Sequence, residues 1–81
     1  MVFIEEVELR FKAFDDVRFV QLLADGTHYQ LTVVSDRFKG QSKVVRQQWV
    51  YSQVSDHISS GKIHALHMNT WTNDEWEKEH G

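Results

Sequence analysis

Asp25-Gly26 stands between two strand-like runs, VRFVQLL (17–23) and HYQLTVV (28–34). Aspartate followed by glycine suits a tight hairpin turn, and the flanking runs are rich in β-branched, aromatic and other apolar side chains. The pattern predicts an antiparallel hairpin turning at ADGT (24–27). In its second strand Tyr29, Leu31 and Val33 share one face, while His28, Gln30 and Thr32 take the other. The apolar face is expected to lie against helices.

Helical patterns flank the hairpin. Ile4, Val7, Phe11 and Phe14 draw one apolar stripe on a helix over about residues 3–13. Glu5 and Glu6 sit in its first turn, where the helix dipole favours carboxylates. Residues 35–41 (SDRFKGQ) have loop chemistry, with Gly40 the expected site of a left-handed backbone angle. Ser42 can cap a helix running to about Ser59, its wide apolar face made of Val44, Val45, Trp49, Val50, Tyr51, Val54 and Ile58. Gly61 is placed to end it.

Residues 63–71 read as a third strand, with Ile63, Ala65 and His67 on one face and His64, Leu66 and Met68 on the other. Thr72-Asn73-Asp74-Glu75 is a capping box, so a short helix carrying Trp76 follows. The order is α-β-β-α-β-α. It predicts an α+β fold with a three-stranded mixed sheet and helices packed mainly on one face.

Length and composition narrow the rest. At 81 residues the chain is expected to form one domain, 1–81, burying roughly 60–65% of its unfolded surface. Without cysteine, neither a disulfide nor a zinc–thiolate knot can support it, so packing must suffice. No apolar run approaches the length of a membrane span, and the acidic, amphipathic N-terminus is unlike a targeting peptide. A cytoplasmic protein is expected. The net charge of −3 hides a basic centre, Arg37, Lys39, Lys43 and Arg46, between acidic ends. Such a stretch reads either as a partner or nucleic-acid footprint or as a solvated face.

Little in the chain suits catalysis. There is no thiol, Gly40-Gln41-Ser42 lacks the second glycine of a nucleophile elbow, and Gly61-Lys62 is followed by Ile63 where a phosphate loop needs Ser or Thr. His64 and His67, three apart on a strand, should face opposite ways and so cannot share a metal.

The stretches VVSDRFKGQSKVVRQQWVY (33–51) and IHALHMNTWTNDEW (63–76) resemble the BolA-like family. The matching elements are Val34-Ser35, Phe38, Gly40, Lys43, Arg46, Val50-Tyr51, Ile63-His64-Ala65-Leu66, and Thr72 with Glu75-Trp76, across about residues 22–76. The resemblance implies a fold similar to a type II KH domain and a monothiol glutaredoxin as partner. It also implies a [2Fe–2S] cluster shared with that glutaredoxin and glutathione, and none in the isolated chain. By position His64 is the implied iron ligand. The second ligand of the family comes from the loop between the first two strands, where His28 is the imidazole available and Asp25 aligns nearer the usual position. His67 and His80 are expected at the surface, and His57 as a cation near a helix C-terminus. Some relatives act on transcription or in stress, which leaves a nucleic-acid-binding regulator as the alternative. The local GxxG clamp of KH domains is not evident, since Lys43 stands at its second glycine. Homodimerisation stays open.

Overall fold

The computed structural model describes residues 2–80 and the side chains of 3–79. The elements run α1 (Val2–Lys12), β1 (Val17–Asp25), β2 (His28–Ser35), a 3-10 turn (Asp36–Phe38), α2 (Lys43–Ser59), β3 (Ala65–Trp71) and α3 (Asn73–His80). The sheet order is β1-β2-β3, with β1 antiparallel and β3 parallel to β2. The expected α+β fold with a mixed three-stranded sheet is therefore present.

The hairpin turn is tighter than ADGT. Asp25 pairs with His28, so Gly26 and Thr27 alone make the turn. Gly26 carries φ 63° and Thr27 has no positive φ, the pattern of a type II′ turn. Leu31 and Val33 are buried and Tyr29 half-buried, on the face that β1 shares through Val20 and Leu22. Val7 and Phe11 of α1 and Val50 and Val54 of α2 close the core from that side. Short α3 lies at the opposite face, where Trp76 stacks on Phe19 with ring centroids 5.1 Å apart.

The two edges of the sheet differ. Along β1 lies α1, and its Glu8 carboxylate accepts a hydrogen bond of 2.9 Å from the outward-pointing Leu22 N–H. Arg10 of α1 in turn grips Asp56 of α2 at 2.8 Å. The edge of β3 has no such cover over most of its length.

Three expectations need correction. Helix α1 stops at Lys12, so Phe14 lies beyond it, though its ring still packs on Trp49 at 5.2 Å. The stretch 35–41 is not simply loop. Ser35 Oγ accepts from Arg37 N–H and starts a 3-10 turn that buries Phe38 completely. Strand β3 begins at Ala65, because Ile63 N–H bonds back to His57 C=O and tucks its side chain into the core. Alternation therefore does not reach back to His64. His57 stands in the last turn of α2 as expected, but it is buried, with the Phe3 ring edge-on at 4.7 Å and the Glu6 and Asp56 carboxylates 3.7 and 3.9 Å from its Nε2. The expected surface position of His80 lies outside the described side chains.

Helix α2 buries less than its apolar sequence offered. Ser42 does cap it, accepting from Val45 N–H, and Gly61 follows with φ 82°. Val44, Val45 and Tyr51 nevertheless stay exposed. Each residue turns a helix by about 100°, so Tyr51 cannot share the inward line of Val50 and Val54. We expect Val54→Ala to cost about 2–3 kcal/mol, and Tyr51→Ala to stay within about 0.5 kcal/mol. Urea denaturation checks this; equal midpoint shifts for the two variants would show that the helix is seated differently.

Candidate functional site

Strands β2 and β3 run parallel, so both begin at the end of the sheet that carries the Gly26-Thr27 turn. His28 opens β2 and its register partner Ala65 opens β3, which puts His64 immediately beside that pair. Both imidazoles are exposed. Neither makes a hydrogen bond or ion pair with another described residue.

His28 has a second neighbour that sequence reasoning missed. On the open face of the sheet it borders a shallow hollow of about 480 Å³ with His67, Leu23, Asp25 and Gln30. Parallel register is the reason: His67 pairs with Gln30, one step along the same face from His28. The signal was present in the period-two pattern, but only the pairing of β2 with β3 brings the two together. His64 does not line this hollow. Among the described residues no group of three or more His, Asp or Glu converges as a metal site.

The four basic residues do not form one patch. Arg37 Nε donates to Asp16 at 2.7 Å, and its guanidinium lies 3.9 Å from the Trp49 ring centroid. That guanidinium, more than any other neighbour, holds the Asp16 carboxyl below its ordinary value. Arg46 is the linchpin of α2, β3 and α3. It donates to Glu75 Oε1 at 2.8 Å, to Thr70 C=O at 3.3 Å and to Gln41 C=O at 3.0 Å. Lys39 pairs loosely with Asp36 at 3.5 Å. Lys43 is exposed and makes no ion pair with a described residue.

The capping box completes this clasp. Glu75 N–H donates to Thr72 Oγ1, and Thr72 N–H donates to Glu75 Oε1 at 2.9 Å. Arg46 first, then the Thr72 N–H, hold the Glu75 carboxyl down to about 2 from an ordinary 4.5. A carboxyl lowered by folding contributes stability that is complete above about pH 4.5 and lost as the pH falls through about 2. The side chain is 43% exposed, so the contribution is small. The urea midpoints of wild type and Glu75→Gln should differ by a constant amount at neutral pH and converge toward pH 2. A difference that persists undiminished at pH 2 would show that charge is not its source.

Most residues that carry the resemblance are thereby accounted for by the fold. Val34, Ser35, Phe38, Val50, Ile63 and Thr72 are buried, and Arg46, Glu75 and Trp76 join elements. Lys43, Tyr51 and His64 are exposed and do no such work.

Comparison with known proteins supports the same grouping. The profile described as "BolA-like protein" matches residues 13–75. The acid stress protein IbaG of Escherichia coli K12 is 35% identical over 60 residues, covering 74% of this chain and 71% of that protein. The DNA-binding transcriptional regulator BolA of the same strain is 37% identical over 51 residues, covering 63% of this chain but 48% of that protein. A BolA protein homologue from Coxiella burnetii superposes with a TM-score of 0.75 at 31% identity, covering 95% of this chain and 99% of the other.

Proposed function

The chain belongs to the BolA-like protein family, and from that premise we propose that it is a non-enzymatic partner of a monothiol glutaredoxin. In this reading the two proteins share a [2Fe–2S] cluster in the cytoplasm, serving iron–sulfur assembly, trafficking or iron homeostasis. One observation carries it. His64 sits exposed just before β3, with no hydrogen bond or ion pair to a described residue, beside the head of β2 that carries His28.

The donor set fits part of a cluster and no more. Imidazole can replace thiolate on one iron of a [2Fe–2S] centre and raises its potential. A chain with no cysteine and two exposed imidazoles at one sheet end can supply that part. The remaining sulfur ligands must come from the glutaredoxin thiol and glutathione. His64 is the first ligand and His28 the second. What the fold contributes is placement: the hairpin turn and the buried Ile63 anchor the two chain segments from which these side chains project.

Anaerobic co-purification with a monothiol glutaredoxin and glutathione tests this, read by visible absorption and circular dichroism. A coloured heterodimer whose spectrum differs from that of the glutaredoxin homodimer is the expected result. A colourless mixture of separate proteins would end the proposal.

The alternative, a KH-like nucleic-acid-binding regulator, draws on the relative described as DNA-binding. Arg37 and Arg46 are held by Asp16 and Glu75, so the basic segment offers chiefly Lys39 and Lys43 to phosphates. Two lysines on a chain of net charge −3 support only weak, salt-sensitive binding. For that reason it stands second.

A further inference from the structure

The outer edge of β3 is an unsealed strand edge set in a groove. In a two-residue hairpin the closing pair, Asp25 and His28, exchanges hydrogen bonds. Residues His28, Gln30 and Thr32 therefore bond toward β1, and Tyr29, Leu31 and Val33 toward β3. The parallel register then turns His67 and Asn69 inward to β2, and Leu66, Met68 and Thr70 outward. Two bonds agree with this deduction. Leu22, partner of Leu31, points its N–H away from β2 to Glu8, and Thr70 points its C=O away from β2 to Arg46. The outward backbone groups of Leu66 and Met68 meet no such side chain among the described residues.

A groove of about 510 Å³ runs beside this edge, bounded by β3 from His67 to Trp71 and by Lys43, Arg46 and Gln47 of α2. Gln47 also borders the next hollow, with Val44, Gln48 and Tyr51. The exposed apolar side chains of α2 thus flank the groove: Val44 is 62% and Tyr51 45% exposed. Proteins usually cover, charge or bend a strand edge, as Glu8 does at Leu22 of β1. Leaving one edge open beside an apolar stripe invites a strand from elsewhere.

Charge selects the visitor. Among the described residues the one carboxylate at the groove, Glu75, is committed to Arg46, which leaves Lys43 as its unpaired cation there. We infer that the β3 edge accepts an extended, acidic peptide segment of another protein as a fourth strand. Its backbone bonds to Leu66 and Met68, every second side chain rests on Val44 and Tyr51, and an acidic side chain meets Lys43. This edge adjoins the His64–His28 end, since Leu66 is two residues from His64, but its test uses the chain alone and needs neither cluster nor glutaredoxin.

Two measurements on the full chain decide it. In dilute solution the Leu66 and Met68 amides should exchange hydrogen much faster than those of His67 and Asn69. Equal protection of the four would show a closed edge, and protection that grows with protein concentration would show a second copy there; either overturns the inference. Short random peptides displayed on phage are then selected on the immobilised chain. Acidic winners with apolar residues at alternate positions are expected, and a synthetic winner should slow exchange at Met68. Lys43→Glu should weaken its binding several-fold while Lys43→Arg preserves it. No enrichment, basic or helix-forming winners, indifference to Lys43→Glu, or displacement by a single-stranded oligonucleotide would each overturn the proposal.

Discussion

Phe38→Ala is expected to lower the stability of this chain by about 3–5 kcal/mol, the range for removing a buried phenylalanine. The ring is fully buried. It meets Trp49 edge-on with centroids 5.9 Å apart and lies beneath the Arg46 guanidinium at 5.9 Å. Because Trp49 also holds Phe11, Phe14 and Arg37, the cavity would open at a junction of α1, α2 and the 3-10 turn. So short a chain has little stability in reserve, and the variant should be largely unfolded in mild denaturant. Phe38→Leu, which keeps most of the volume, should cost about 1.5 kcal/mol or less. Urea titrations followed by tryptophan fluorescence measure both. An unchanged midpoint for Phe38→Ala would mean that the segment after β2 is not packed as described.

His64→Ala should abolish or reshape the charge-transfer bands of the heterodimer cluster, while His67→Ala leaves them as they are. The two substitutions remove the same side chain three positions apart, so a general disturbance of the strand would affect both. His64 stands before the first rung of the β2–β3 ladder and His67 within it, on the open face. His28→Ala should match His64→Ala if the loop end reaches the same iron. The hollow shared by His28 and His67 supplies the critical control. Loss of the bands in His28→Ala and His67→Ala, with wild-type spectra in His64→Ala, would move the site to the open face of the sheet. Unfolding is excluded by comparing far-ultraviolet circular dichroism of the three variants.

Local chemistry was legible and distant partnership was not. The Gly26 turn, the Ser42 cap, the Gly61 stop and the Thr72–Glu75 box each depend on residues a few positions apart, and each is present. The apolar inventory of α2 could be read as well, but not its division between core and surface, because that depends on where α1 and the sheet lie. The basic segment shows the same limit. Arg37 and Arg46 looked available until Asp16 and Glu75, distant in sequence, were seen to hold them. His57 was read from its place near a helix end, whereas its burial against the Phe3 ring and the nearby Glu6 carboxylate, both from α1, depends on how the helices pack. At the candidate site the family resemblance singled out His64. The structure adds that the residue is exposed and unengaged, and that His28 has His67 for a neighbour.

The Glu8 carboxylate on Leu22 N–H has a consequence for self-assembly. An open-ended filament of copies needs two different free edges on each molecule, one to receive and one to be received. In this sheet α1 packs against β1 and its Glu8 holds the outward Leu22 N–H, while the outward groups of Leu66 and Met68 on β3 meet no described side chain. A copy approaching β1 must displace the Glu8 bond beside α1, which favours sheet-to-sheet meeting β3 to β3, about a two-fold axis that consumes both β3 edges at once. Growth stops at a pair, so a short chain with an exposed strand edge carries its own chain terminator against fibre formation.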